Sequence, residues 1–293
     1  MAIAVEPPVS APRSLAEAYA RLTEPGPPWR PIAGGTDLMV ELAAGRGEPP
    51  ARILDLWHLD ELRGVALEPR ALVLGAGTTY HDLRRSALAS EVVPALLDAA
   101  STIGAAQIQS RGTIGGNLAT ASPAGDTLPV LLALDAIVEV GGPRGERSVP
   151  IDAFITGYRT IDLAPDELIL RVRIPILPGR EARFRKVGTR RAQAISKVSL
   201  ALAWRLAPAP SGPGRVWEGV RVALGSVAPT PIRSAAAEQA LEGAAPTPAT
   251  ADAAAEALAA ELAPIDDVRS TADYRRTVAA RILHRLVRDL GGW

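Results

Sequence analysis

The chain has 293 residues, with 32 Lys and Arg against 32 Asp and Glu, so its formal net charge is zero. A neutral chain attracts neither nucleic acid nor an anionic membrane strongly, which argues against both as partners. Because the sequence contains no cysteine, disulfides, thiol catalysis and a cysteine-ligated iron–sulfur cluster are excluded.

Targeting and metal-binding signals are missing from the sequence. The first ten residues carry no basic region, and no stretch has the length of a membrane span, so a cytoplasmic protein is predicted. The three histidines, His58, His81 and His284, are scattered, and no metal site is predicted. The length favours two domains.

The first elements follow a β-α-β order. Ser14 and Glu17 predict a helix that begins with a capping box. A strand over 29–33, a helix over 38–42 and a strand over 52–56 come next. This order predicts a small parallel sheet.

Gly75 and Gly77 follow an apolar strand and invite comparison with a dinucleotide-binding fingerprint. That fingerprint needs a third glycine at position 80, which is Tyr80, so the pattern instead predicts a strand that turns into a helix. Thr78 or Thr79 would cap this helix.

The remaining chain divides near residues 177–180. Before that point the pattern predicts helices at 92–103 and 128–135 and strands at 136–140, 147–150 and 167–174. After it, strands are predicted at 184–187, 196–206 and 217–226, with helices beginning near Ser234, Thr247 and Ser270. An apolar i, i+4 series in the last helix predicts a core seam, formed by Tyr274, Val278, Ile282, Leu286 and Leu290.

The most informative stretch is 110–129, with Gly112, Gly115 and Gly116 within five residues, surrounded by hydroxyl and amide side chains. Glycine permits close approach of another molecule, and consecutive N–H groups form an anion-binding concavity. The stretch is therefore either a loop that cradles phosphates or a tight connection between two elements.

A second stretch has the same character. Gly34 and Gly35 precede Thr36 and Asp37, either of which could cap the following helix and place its N-terminus near a phosphate. Two such loops suit a ligand with two phosphates. Neither loop is a P-loop, since no Gly-Lys-[Ser/Thr] follows.

Three segments together resemble a known family: Ala33-Gly-Gly-Thr-Asp37, Thr113-Ile-Gly-Gly-Asn117 and Ala121-Ser-Pro-Ala-Gly-Asp126. They are similar to the FAD-binding subunit of molybdenum hydroxylases, the xanthine dehydrogenase and carbon monoxide dehydrogenase group, from about residue 15 to 290. The resemblance implies an α+β fold. A vanillyl-alcohol-oxidase-type (PCMH-type) FAD-binding domain over 1–177 would consist of two α/β subdomains, about 1–57 and 58–177. A C-terminal domain of the molybdenum hydroxylase flavoprotein type, with an antiparallel sheet and helices, would occupy 181–293.

The resemblance also implies cofactor-binding residues but no catalytic residue. These residues are Pro31, Ile32, Ala33, Gly34, Gly35, Thr36, Asp37, Leu38, Ile103, Thr113, Ile114, Gly115, Gly116, Asn117, Asp126, Ile169 and Lys186. Asp126 would lie near the flavin and its ribityl chain, although a helix cap is the alternative. Lys186 would face the ring system, and its alternative is a solvated strand edge.

The segment 186–197 favours the xanthine dehydrogenase branch. The carbon monoxide branch usually has Gly-Asp-Tyr here, with the tyrosine over the flavin ring, whereas this chain has Arg191, Ala192 and Gln193. A carbon monoxide or aldehyde dehydrogenase-type complex is the alternative.

The function implied is electron relay within a cytoplasmic heterotrimer. FAD, held noncovalently, would take electrons from 2Fe–2S clusters and pass them to NAD, oxygen or quinone. The clusters and the molybdenum cofactor would lie on an iron–sulfur and a molybdopterin subunit. The alternatives are a stand-alone flavin oxidase, a cell-wall precursor reductase of the same fold, and a nucleotide-binding regulatory module without a redox role.

Overall fold

The structure is a computed structural model and describes residues 7–45, 48–190, 193–210 and 213–293. The α-helices are α1 (Leu15–Leu22), α2 (Leu38–Ala43), α3 (Tyr80–Arg85), α4 (Ala87–Val92), α5 (Pro94–Ser101), α6 (Ala106–Gln109), α7 (Ile114–Thr120), α8 (Thr127–Ala133), α9 (Ile151–Phe154), α10 (Ala235–Leu241), α11 (Pro248–Glu261) and α12 (Ala272–Gly291). The strands are β1 (Val9–Ser10), β2 (Trp29–Ile32), β3 (Arg52–Asp55), β4 (Val65–Glu68), β5 (Ala71–Gly75), β6 (Ile137–Gly142), β7 (Gly145–Pro150), β8 (Ile155–Gly157), β9 (Thr160–Ile161), β10 (Leu168–Pro175), β11 (Glu181–Val187), β12 (Val198–Pro208), β13 (Arg215–Gly225) and β14 (Ile232–Arg233).

A small parallel sheet opens the chain. Its strand order is β1-β3-β2, and both outer strands run parallel to β3. This confirms the β-α-β unit predicted from the sequence. Ser14 caps α1 as expected, but the Glu17 carboxylate accepts from the N–H of Arg13, so the capping box is only half formed.

The second sheet has the order β4-β5-β10-β6-β7 and is antiparallel throughout. Thr79 caps α3, as one of the two predicted candidates. The helix predicted at 92–103 is α5, which begins at Pro94 because proline suits the first turn of a helix. The helix α4, which ends at Val92, was not predicted.

The third sheet, β11-β12-β13-β14, is antiparallel and covered on both faces. The predicted alternation in β12 is confirmed: Val198, Leu200, Leu202 and Trp204 pack into a core with residues of α10, α11 and α12. The intervening Ala201 and Ala203 join the core of the preceding domain instead, where α5 and α8 lie. Small side chains on that face let the third sheet pack closely against α5 and α8.

The core seam of α12 differs from the predicted one. Arg275, Ala279, Leu283, Leu286 and Val287 are buried, whereas Tyr274 is 41% exposed. Of the predicted positions, Leu286 is buried as expected, while Val278, Ile282 and Leu290 are partly buried and pack at the edge of the core. A helix has 3.6 residues per turn, so a strict i, i+4 series drifts around its surface and away from the centre of the buried face.

No helix in the described part of the chain is long and apolar enough to cross a membrane. The same residues contain no cluster of three or more His, Asp or Glu side chains arranged to hold a metal ion.

Candidate functional site

The first glycine loop presents unpaired backbone donors. Within the described residues, the N–H groups of Gly34, Gly35, Thr36 and Asp37 donate to no acceptor. The loop is partly exposed, and Gly35 has a φ of +73°, a conformation that favours glycine. Consecutive N–H groups left free in this way are suited to bind an anion.

Neither candidate cap of α2 acts as predicted. Asp37 precedes the helix, but its side chain makes no capping hydrogen bond, and no capping bond from Thr36 is present among the described residues. The carboxylate of Asp37 instead accepts from the hydroxyl of Thr120, at 2.7 Å. The bond ties the first loop to the end of α7.

The stretch around Gly115 and Gly116 was predicted to be a loop or a tight connection, but it is the start of helix α7, capped by Thr113. The N–H groups of this second glycine stretch, still called the second loop below, are bonded within the protein. The donors and acceptors are Ile114 N to Thr78 O at 3.1 Å, Gly115 N to Ala76 O at 2.8 Å, Gly116 N to Thr113 Oγ1 at 3.0 Å and Asn117 N to Thr113 O at 3.0 Å. The backbone cradle proposed for both loops is therefore available in the first loop, while the second can offer shape and the Asn117 amide group. The Asn117 Oδ1 accepts from the Thr127 hydroxyl at 2.6 Å.

The two loops touch each other. A Cβ atom added to Gly34 would lie 1.7 Å from the carbonyl oxygen of Arg111, so no other residue fits at position 34 without moving one loop. Gly115 packs closely too, since its Cβ would lie 2.6 Å from that of Ala76. Gly116 is different, because the sole atom near its Cβ position is the Thr113 hydroxyl at 3.0 Å.

Tyr80 packs against the residues that precede α7. Its side chain is 3% exposed, its N–H donates to the carbonyl of Gly112, and its ring lies against that glycine. Burial, with a smaller contribution from Asp37, raises the pKa of the Tyr80 phenol far above its ordinary value. The residue that breaks the dinucleotide fingerprint thus serves as a neutral buried packing group.

Asp126 and Lys186 form a buried ion pair. The Nζ of Lys186 lies 2.5 Å from Oδ2 of Asp126, and the two side chains are 10% and 6% exposed. The same Oδ2 accepts from Thr102 Oγ1 at 3.1 Å, while Ser196 donates to Oδ1. Lys186 also donates to the carbonyl of Thr102, at 3.3 Å.

Both simpler alternatives for this pair are wrong. Asp126 precedes α8, but its carboxylate makes no capping hydrogen bond. Lys186 is not a solvated strand edge, because its side chain is nearly buried.

The two apolar candidates, Ile103 and Ile169, differ in burial. Ile103 follows α5 directly after Thr102 and is half-buried. Ile169 is 7% exposed and packs in the core beside a register shift in β10. The remaining predicted residues, Pro31, Ile32, Ala33 and Leu38, form the end of β2 and the flanks of the first loop.

Sequence reasoning missed four residues near these groups: Thr102, Ser196, Trp57 and Arg111. Ser196 and Thr102 lie 70 and 24 positions from the carboxylate that they bind, and no local pattern signals such contacts. Arg191 and Ala192, where a stacking side chain was sought, lie outside the described residues.

The chain was compared with known proteins. Residues 4–177 match the family described as "FAD binding domain in molybdopterin dehydrogenase", and residues 183–290 match "CO dehydrogenase flavoprotein C-terminal domain". The xanthine dehydrogenase FAD-binding subunit of Escherichia coli O157:H7 is 33% identical, over 95% of each chain. The glyceraldehyde dehydrogenase medium chain of Sulfolobus acidocaldarius is 33% identical, over 85% of this chain and 86% of its own.

A solved structure is similar to the chain in both fold and sequence. Carbon monoxide dehydrogenase from Hydrogenophaga pseudoflava superposes with a TM-score of 0.89 at 32% identity, over 97% of this chain and 96% of that one. The family match covers more than half of the sequence, and the relatives are aligned over most of their length. The chain therefore belongs to the FAD-binding subunits of the molybdenum hydroxylase family.

Proposed function

We propose that this chain binds FAD along the two glycine loops and the Asp126–Lys186 pair, and relays electrons to an external acceptor. The observation that carries the proposal is the row of four unpaired N–H groups from Gly34 to Asp37. They fit the diphosphate of a dinucleotide, because an anion can approach backbone that has no side chain at Gly34 and Gly35.

A continuous set of contacts supports a single extended site. Asp37 binds Thr120 at the end of α7, and Asn117 on the same helix binds Thr127. Thr127 follows Asp126, which in turn binds Lys186. The chain of contacts thus runs from the anion-binding loop to the buried ion pair. Ile103, which follows Thr102, would supply apolar surface for a flavin ring at that end, and Ile169 is proposed as a further apolar contact.

The protein's part in this chemistry is binding, orientation and electrostatics. FAD, when bound, can exchange one or two electrons at a time and so joins one-electron donors to a two-electron acceptor. Lys186 provides a fixed positive charge within the seam between the domains, and Asp126 holds that charge in place. No acid–base residue is required of this chain.

The partners would be an iron–sulfur subunit and a molybdopterin subunit. Because this sequence offers no cysteine ligand, cysteine-ligated clusters would belong to the iron–sulfur subunit. Since the net charge is zero, docking would rest on shape and apolar contact more than on long-range attraction. We propose a cytoplasmic complex of three different chains, with NAD, oxygen or quinone as the acceptor.

The branch of the family to which the complex belongs, and with it the substrate, is a separate proposal. We favour a xanthine dehydrogenase-like complex, because the segment after Lys186 lacks the Gly-Asp-Tyr of the carbon monoxide branch. Sequence identity does not separate the branches: the Escherichia coli xanthine dehydrogenase subunit is 33% identical and the Hydrogenophaga pseudoflava carbon monoxide dehydrogenase medium chain 32%.

Reconstitution tests the relay. The isolated chain should bind FAD but show no turnover with purines or aldehydes. Adding the iron–sulfur and molybdopterin subunits co-purified from the native host should make its flavin reducible by substrate. Substrate oxidation by the isolated chain would favour a stand-alone oxidase. A colourless protein that binds phosphate but not FAD would favour a regulatory module.

A further inference from the structure

Arg111 lies beside the first glycine loop without a carboxylate partner. Its guanidinium carbon is 3.7 Å from the centroid of the Trp57 ring, and its Nε approaches the carbonyl oxygen of Gly34 at 3.4 Å. Within the described residues, its terminal nitrogens have no hydrogen-bond or ion-pair partner. The side chain is exposed, yet stacking on an indole restricts where its charge can lie.

Trp57 is itself held in place. It follows β3, and its backbone N–H donates to the Asp55 carboxylate at 2.9 Å. Arg63 lies 4.4 Å from the centroid of the same ring, and its nitrogens donate to the carbonyl oxygens of Trp57 at 2.5 Å and Gly77 at 3.4 Å. Because Arg63 is bonded in this way, the indole is a supported platform for Arg111.

The two cations differ in what they can still bind. Arg63 donates to two carbonyl oxygens, whereas the outer edge of the Arg111 guanidinium meets no acceptor in the described part of the chain. That edge adjoins the loop whose N–H groups from Gly34 to Asp37 are also free. The carboxylate on this loop, Asp37, is bonded to Thr120. A planar guanidinium beside unpaired amides matches a phosphate group, which accepts paired hydrogen bonds.

We propose that Arg111 is a ligand of the FAD diphosphate in this chain, and that Trp57 positions it. The inference rests on the proposed function, because it assumes that FAD occupies the first loop. Arg111 lies within the glycine-rich stretch 110–129 and Trp57 outside both stretches, but neither was among the cofactor-binding candidates from the sequence. Arg111 would contribute a positive charge to a site in which the other hydrogen-bond donors to the phosphates are neutral backbone amides.

The test is FAD titration of the apoprotein, followed by flavin fluorescence. Arg111→Gln should weaken FAD binding about ten- to a hundred-fold, as expected for the loss of a charge-assisted hydrogen bond. Arg111→Lys should fall between Arg111→Gln and the unaltered protein, since lysine keeps the charge but not the planar fork. Arg281→Gln, at an exposed position on α12, is the matched control and should bind FAD normally.

A double-mutant cycle tests the role of Trp57. Trp57→Leu should weaken FAD binding, and Trp57→Leu combined with Arg111→Gln should be no weaker than Arg111→Gln alone. The affinity lost in Arg111→Gln should also shrink as salt is raised, because a charged contact is screened. Additive losses in the cycle would show that Trp57 does not act through Arg111.

The outcomes separate this proposal from the proposed function. If the unaltered protein does not bind FAD, the proposed function fails first. If it binds FAD and Arg111→Gln binds equally well at low salt, the role of Arg111 is wrong while the FAD site stands. Melting temperatures of the apoproteins should match, which shows that the variants are folded.

Discussion

The Nζ atom of Lys186 and the Oδ2 atom of Asp126 lie 2.5 Å apart in a buried ion pair, which joins the third sheet to the segment before α8. Lys186 lies in β11 of the third sheet, and Asp126 lies directly before α8 of the preceding domain. Two further hydroxyl groups, those of Thr102 and Ser196, complete the shell of the carboxylate. The pair is thus both a candidate flavin contact and a structural link between domains.

Breaking this pair should lower stability as well as FAD binding. Asp126→Asn leaves the buried Lys186 charge uncompensated, which typically costs about 3–5 kcal/mol. In a chain of this size, such a loss lowers the melting temperature by roughly 2–4 °C for each kcal/mol. Combining Asp126→Asn with Lys186→Met should restore part of the melting temperature, because no isolated charge remains.

The exposed cross-strand pair Arg205–Glu218 provides the control for this measurement. Its side chains are 49% and 41% exposed, so Glu218→Gln should cost at most about 1 kcal/mol. An unchanged apo melting temperature in Asp126→Asn, together with lost flavin, would mean that the pair serves the cofactor and not the fold.

Alanine substitutions at Gly34 and Gly116 should differ in their effect on the stability of the apoprotein. Gly34→Ala places a methyl group on the carbonyl of Arg111, so it should separate the loops and lower the apo melting temperature. Gly116→Ala meets only the Thr113 hydroxyl, and alanine favours the helix by about 1 kcal/mol over glycine, so the apo protein should stay folded. If Gly116 faces the cofactor, Gly116→Ala should still lower the flavin-to-protein ratio. Full flavin content in Gly116→Ala would show that Gly116 serves only the first part of α7 and does not face the cofactor.

FAD should be held without a covalent bond. The sequence has no cysteine, and none of its three histidines lies in either glycine loop, so no side chain of the kinds usually used for attachment is present there. Acid precipitation of the purified protein should leave a yellow supernatant. Flavin that stays with the pellet after washing would contradict this expectation.

Stability should decline in acid partly through Glu167. A hydrogen bond from Arg147, with a further one from the Ala164 N–H, lowers the pKa of the Glu167 carboxyl to about 2 from its usual 4.5. A lowered folded pKa contributes stability that is fully present above the unfolded pKa and is lost as the pH falls towards the folded one.

Glu167→Gln should therefore reduce the fall in melting temperature between about pH 4.5 and pH 2. The contribution of the Glu167–Arg147 pair to the melting temperature should be modest, because Arg147 is 38% exposed and solvent screens the pair. Glu91→Gln, which alters an exposed carboxylate on α4, should keep the fall seen in the unaltered protein. Identical pH profiles for both variants would rule out this contribution.

The division of the chain near residues 177–180 can be tested with a fragment. One face of the third sheet, which includes Phe184, Ala201 and Ala203, is buried in the same core as α5 and α8. An isolated fragment of residues 181–293 would expose that face, so we expect it to aggregate or to bind a hydrophobic dye. A soluble, cooperatively folding fragment would show that the C-terminal domain is independent of residues 1–177.

The sequence by itself determined the local elements and the motifs. The parallel β-α-β unit, a threonine cap at position 78 or 79 and the alternation along β12 follow from short-range patterns, because capping and strand periodicity depend on nearby residues. The two glycine loops were also evident, since glycine and hydroxyl residues concentrate there. The helix α4 was missed, and the start of α5 was placed at Val92 although Pro94 marks it.

Tertiary structure decided which of these features meet and what each side chain contacts. The pairing of Asp126 with Lys186, the shared shell from Thr102 and Ser196, and the stacking of Arg111 on Trp57 join residues far apart in sequence. No local periodicity encodes such contacts. They arise because folding brings separate elements together, and a buried charge is then stable only where donors and acceptors from those elements surround it.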